Sequence, residues 1–185
     1  MYQKFSHTLY KCFYKYISPF MGTNKLSVFI KWKLALALVG TEFHHQNLKN
    51  NHKKKLRQHF DVNRPLQPEL VELLNIYYQK YTTLINPPKV LDIGAGPISK
   101  VGKVYQSKAI KLIPIDPIAS EYNKLHGSLN LKPPIPTIYG QGETLTNQFN
   151  ENQFDLIHAR NCIDHCCNPA KVILQAIRVL KPNAF

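Results

Sequence analysis

Residues 65–185 predict an α/β domain built on a doubly wound, mostly parallel sheet, and three observations support it. Short apolar runs bounded by turn residues alternate with segments of helical period, the order that builds parallel sheets from crossover units. One of those runs, residues 90–93, passes directly into Gly94-Ala95-Gly96-Pro97. The next, Leu112-Ile113-Pro114-Ile115, ends on an acid, Asp116.

The elements follow in order. Leu70, Leu73, Leu74, Tyr77, Tyr78, Tyr81, Leu84 and Ile85 keep the helical period and predict a helix over 69–85. Asn86-Pro87-Pro88 ends it, because two prolines cannot continue the hydrogen-bond ladder. A strand at 90–93, the glycine turn and a helix near 98–106 come next. A second strand at 109–115 and a helix at 119–125 follow. The proline-rich residues 132–136 lead to a short strand at 137–139. A fourth strand spans 154–159. The last helix spans 170–180, with Val172, Ile173, Ala176, Ile177 and Leu180 on one side.

Charge divides the chain differently. Residues 1–60 hold eleven of the 24 Lys and Arg but only one of the 11 acids, Glu42, so most of the net +13 sits in a basic N-terminal extension covering residues 1–64. Within it Phe5, Leu9, Phe13, Tyr16 and Phe20 share one helical face and Lys4, Lys11 and Lys15 another. A helix of that kind packs on its own domain, or attaches to an anionic membrane surface or a lipid-linked substrate. The cluster Lys53, Lys54, Lys55 and Arg57 is the weaker case for nucleic acid and reads first as a solvated linker. Residues 26–40 are apolar but interrupted by Lys31 and Lys33 and too short to span a bilayer. With no secretory signal pattern and four cysteines in no CxxC pair, the expected compartment is the reducing cytoplasm.

Glycines after a strand serve where backbone must approach a ligand closely. Asp116 lies 24 residues beyond Asp92, near the ~20-residue offset of a carboxylate that grips ribose hydroxyls. A dinucleotide site would prefer a third glycine where Ser99 stands, and would place pyrophosphate on a helix N-terminus. Asp92, immediately before the turn, repels such a ligand and suits one bearing an ammonium and a sulfonium.

At this point the chain resembles the class I S-adenosylmethionine-dependent methyltransferases, from about residue 89 to 185, and the fold becomes Rossmann-like by that resemblance. Leu91-Asp92-Ile93-Gly94-Ala95-Gly96 looks like the family's first motif, which implies that Asp92, Gly94, Ala95 and Gly96 hold the methionine part of the cofactor. Asp116 matches the ribose-binding acid. Tyr139-Gly140-Gln141-Gly142-Glu143 is similar to the adenine-contacting turn, with Gln141 where an acid is common. The segment from Phe154 to Asn161 resembles the fourth strand and the loop under the transferring methyl, which adds Asn161 to the cofactor set. Arg178-Val179-Leu180-Lys181-Pro182-Asn183 resembles the habitual RxLKPGG ending.

An oxygen acceptor needs a base, and Asp164 and His165 are the expected catalytic positions. His44, His45, His52 and His59 read as surface or packing residues. No metal site is expected, because Cys162, His165, Cys166 and Cys167 lack a second ligand pair. The expected function is methylation of a small-molecule or glycan acceptor. The competing readings are an inactive binding remnant of a methyltransferase and an NAD(P)-dependent enzyme. The resemblance also implies a seven-stranded sheet of which this sequence supplies four strands, so the domain is expected to be truncated, marginally folded and open along its fourth strand.

Overall fold

The computed structural model describes residues 58–185, and the basic amphipathic segment 2–20, the apolar stretch 26–40 and the cluster 53–57 lie outside the described residues. The first full helix, α1 (Pro68–Lys80), starts with proline at its first turn and Glu69 near its N-terminus, both favourable there. Leu70, Leu74 and Tyr77 are its buried stripe. It closes about a turn before the expected Ile85: Tyr81 N–H donates to Tyr77 O at 2.9 Å, and β-branched Thr82 and Thr83 precede the prolines.

The sheet contains β1 (Lys89–Ile93), β4 (Lys111–Asp116), β5 (Ile138–Tyr139) and β6 (Leu156–Ala159). All four run parallel, in the order β5-β4-β1-β6. Alternation along the strands sorts the core into two layers. Val90, Leu112 and Leu156 face α1 and pack with Leu66, Leu70 and Leu74. Leu91, Ile93 and Ile115 point the other way, against Leu145, Phe154, Val172 and Val179. That second layer is covered by the 3-10 turns of Gly142–Asn147 and by α3 (Pro169–Val179), which Asn168 caps by accepting from Lys171 N–H at 3.0 Å. The helix α2 (Ala119–Ser128) links β4 to the proline-rich connection before β5. On α3 only Val172 and Val179 are buried, while Ile173, Leu174 and Ile177 lie open.

One expected element is replaced. The helix placed near 98–106 is absent, and its residues form a loop followed by a two-stranded hairpin, β2 (Val104–Tyr105) and β3 (Lys108–Ala109). The reason is where the backbone amides go. Lys103 N–H donates to Arg64 O at 2.7 Å, Leu66 N–H donates to Val104 O at 2.9 Å, and Pro65 bridges Val104 in parallel. A methyl on Gly102 would stand 1.9 Å from Pro65 O, so glycine is required at this crossing. Gln106 and Ser107 take φ of 47° and 61°, the left-handed pair that a tight two-residue hairpin turn uses. Ile98, Val101 and Tyr105 are all buried, so their helix-like spacing is real burial supplied by a loop.

At the other edge, the residues after α3 run back along β6. Lys181 N–H donates to Phe154 O at 2.9 Å and Ile157 N–H to Phe185 O at 2.7 Å, so the outer side of the fourth strand is partly engaged rather than wholly open.

Two buried histidines make this fold sensitive to acid. His59 lies against the Arg64 guanidinium, and burial, then Arg64, Lys100 and Lys103, bring its pKa down to about 4. His126 on α2 buries both ring nitrogens without a partner among the described residues, and burial lowers its pKa as well. Both are neutral when folded and charge on unfolding. Their contribution is therefore complete above pH 6.5, the ordinary histidine value, and declines below it, that of His59 down to about pH 4. The melting temperature is expected to fall between pH 7 and pH 5, and to fall less in His59→Gln/His126→Leu. Equal slopes in thermal melts of the two chains would contradict this assignment.

Candidate functional site

β1 and β4 end side by side, and the residues just past them form a buried cluster. Ala95 N–H donates to Ile115 O at 3.0 Å, which extends the ladder one step into the turn. Gly94 and Gly96 take φ of +66° and +68°, a region that costs an ordinary residue about 1–2 kcal/mol. A methyl on Gly94 would lie 2.4 Å from Cys162 Cβ, because the loop after β6 crosses directly over it. Cys162 Sγ donates to Ile93 O at 3.2 Å from that position, and Asn161 turns the chain there with φ of 52°.

Asp116 holds the turn from β4. Its Oδ2 accepts from Gly96 N–H and its Oδ1 from Ile118 N–H, each at 3.0 Å. The Thr137 hydroxyl donates to Gly96 O at 2.7 Å from the far side. Burial pushes the Asp116 carboxyl above its ordinary range, the two amide bonds pull against that shift, and the charge of Asp92 adds to it.

Asp92 is equally buried and fully engaged. Its Oδ2 accepts from Ser99 Oγ at 2.6 Å, and its Oδ1 lies 2.7 Å from His158 Nδ1 on β6, the residue opposite it in the parallel register. Its carboxylate therefore braces the turn from within.

The remaining expected positions are more scattered. Gln141 Nε2 donates to the Tyr139 hydroxyl at 2.8 Å. Gly142 is buried where a methyl would meet Val172 at 2.8 Å, so it serves the packing of α3. Glu143 Oε1 accepts from Cys167 N–H at 2.9 Å and Asn168 N–H at 3.3 Å, which ties this turn to the start of α3. Asp164 and His165 pair at 3.6 Å with both side chains about three-quarters exposed.

A bare-backbone turn beside a carboxylate is a fit for S-adenosylmethionine. Gly96 presents backbone without a side chain beside that carboxylate, while the space over Gly94 is taken by Cys162. Each Asp116 oxygen holds one amide and keeps acceptor capacity for a ribose hydroxyl. The family comparison decides the matter, because residues 91–185 match the family described as methyltransferase domain. The chain belongs to the methyltransferase domain family.

Solved structures of lower similarity stand beside that match. A putative S-adenosylmethionine-dependent methyltransferase from Methanococcus maripaludis is 17% identical, with 77% of this chain and 58% of that chain covered and a TM-score of 0.44. The trans-methyltransferase CalH, solved in complex with S-adenosylhomocysteine, is 10% identical over 98% of this chain and 51% of that one, with a TM-score of 0.45. YcgJ from Bacillus subtilis is 21% identical over 60% and 46%, with a TM-score of 0.38. The chain thus spans about half the length of these solved structures. No curated relative matches it.

Four residues that brace this methyltransferase domain's site were given no place in it by the sequence: Ser99, Thr137, His158 and Cys162. Period-two alternation puts Asp92 and His158 on definite faces of their own strands. What it leaves open is the register that sets one opposite the other.

Proposed function

We propose that the protein is an S-adenosylmethionine-dependent methyltransferase that acts on a small-molecule or glycan acceptor. The observation that carries the cofactor half is the Gly96–Asp116 bond, which joins the glycine turn and the ribose-type acid into one preorganised cradle. The missing helix after the turn favours the same reading over NAD(P). A pyrophosphate relies on the amides and dipole of a helix N-terminus, and residues 97–103 offer none. When bound, the cofactor supplies a methyl group already activated on positive sulfur, so the protein's work is alignment.

For the acceptor, the support is the loop over Gly94. Arg160, Asn161, Asp164 and His165 are exposed there and form a short run of hydrogen-bonding side chains suited to a polyhydroxylated molecule. Asp164 and His165 meet that molecule at the mouth. The reaction belongs in the cytoplasm, at an anionic membrane face reached by the basic helix read from residues 2–20, and this part rests on charge pattern alone.

Calorimetric titration should show S-adenosylhomocysteine binding and no response to NADH. Asp116→Ala is expected to weaken that binding by roughly 10–100-fold, the loss of about one hydrogen bond to a charged group at a net ~1.5–3 kcal/mol. Unchanged affinity in a folded variant would remove Asp116 from the site. Detectable methyl transfer to a supplied acceptor separates the enzyme from a binding remnant.

The membrane proposal has its own test. The intact chain is expected to co-sediment with phosphatidylglycerol vesicles and to release as salt shortens the screening length from ~10 Å toward ~3 Å. Equal sedimentation after deletion of residues 1–22 contradicts it.

A further inference from the structure

Asp92 and His158 form a buried carboxylate–imidazole pair beside the glycine turn, and the motif reading assigns nothing to the histidine. The Asp92 side chain is 4% exposed and that of His158 14%. Both stand near the carboxyl ends of neighbouring parallel strands, the end at which open α/β sheets bind their ligands.

For a neutral ring the geometry specifies the tautomer. An ionised carboxylate only accepts, so the bond of 2.7 Å places the proton of neutral His158 on Nδ1 and leaves Nε2 bare. Asp92 is held in place for this by Ser99, which donates to Oδ2 at 2.6 Å and itself receives Val101 N–H at 3.2 Å. Among the described residues Nε2 of His158 has no hydrogen-bond partner, and unlike the ring nitrogens of His126 it is not sealed from solvent. A fixed tautomer with an open, unpartnered basic nitrogen is the equipment of a general base.

We propose that His158, oriented by Asp92, is the general base of the methyl transfer, and that the acceptor is accordingly a hydroxyl or N–H group that must lose a proton. This inference rests on the methyltransferase reading and names the acceptor chemistry within it. The acceptor's lone pair forms the bond to the methyl carbon while the carbon–sulfur bond breaks, leaving its electron pair on sulfur. The acceptor's proton passes to Nε2, and the resulting imidazolium is steadied by Asp92, which stays ionised. Water then takes the proton from Nε2 and restores the base. Asp164 and His165 stand 3.6 Å apart, beyond hydrogen-bond distance, so that carboxylate does not set the tautomer of His165 in this way.

The test uses the intact chain. Long-range proton–nitrogen NMR of the histidine-labelled protein at pH 7.5 is expected to show His158 with Nδ1 protonated and Nε2 bare. Diethyl pyrocarbonate, followed by peptide mass spectrometry to separate the 8 histidines, is expected to modify His158. Saturating S-adenosylhomocysteine should slow that modification at least several-fold while exposed His165 reacts as before. An Nε2-protonated ring, an inert His158, or equal rates with and without bound S-adenosylhomocysteine would each overturn the proposal. If calorimetry shows that S-adenosylhomocysteine does not bind, the methyltransferase reading fails and this inference falls with it. Where it does bind, tautomer and reactivity decide the base alone: a bare, reactive and protected Nε2 supports it and any other result overturns it.

Discussion

The amide of Gly96 donates to the carboxylate of Asp116 inside a buried cluster, and the arrangement of the site depends on that bond. A glycine-rich turn has many conformations open to it, and in a typical βαβ unit the following helix limits them. Here no helix follows. The turn is instead held by side chains from its neighbours: Asp116 at the end of β4, Thr137 just before β5, and Cys162 from the loop after β6. The three attachments come from different parts of the chain, so the cradle forms only when the parallel sheet has assembled. Binding and folding are thereby coupled through one small region.

Burial makes carboxylates costly unless each is given its own donors, and this domain does so three times. Asp116 has two backbone amides. Asp92 has a hydroxyl and an imidazole. At the opposite end of the sheet, Asp155 accepts from Lys89 N–H at 2.8 Å and from Lys181 Nζ at 2.7 Å. The first two lie close enough for the charge of Asp92 to raise the pKa of Asp116, so the ligand end of the sheet holds two carboxylates where the opposite end holds one paired with Lys181. That is a suitable field for a cofactor that carries positive charge.

Much of this was legible in the sequence because it is local. The strand at 90–93, its glycine turn, the acid closing β4, and the helices near 119 and 170 all follow from periodicity and turn chemistry, and each is present within a few residues. The helix placed at 98–106 fails for a non-local reason. Ile98, Val101 and Tyr105 carry helical spacing, but Arg64 and Leu66 capture the backbone of 103–104, a pairing about 40 residues apart that no local pattern encodes. In the candidate site, Asp92, Gly94, Gly96 and Asp116 were readable as a motif. Their partners Ser99, Thr137 and His158 were not, since strand register and loop crossing place them. Glu143 was legible as a turn residue beside the adenine-type segment, while its bond to the start of α3 depends on how that helix docks.

The central claim is that one cradle, built from the turn after β1 and the acid after β4, holds the cofactor. The most direct measurement is a proton–nitrogen correlation spectrum of the intact chain titrated with S-adenosylhomocysteine. The account predicts saturable shifts that appear together at the amides of Gly94, Ala95, Gly96 and Ile118, with one common dissociation constant. Saturable binding that leaves those four amides unmoved, or shifts confined to another part of the domain, would contradict it.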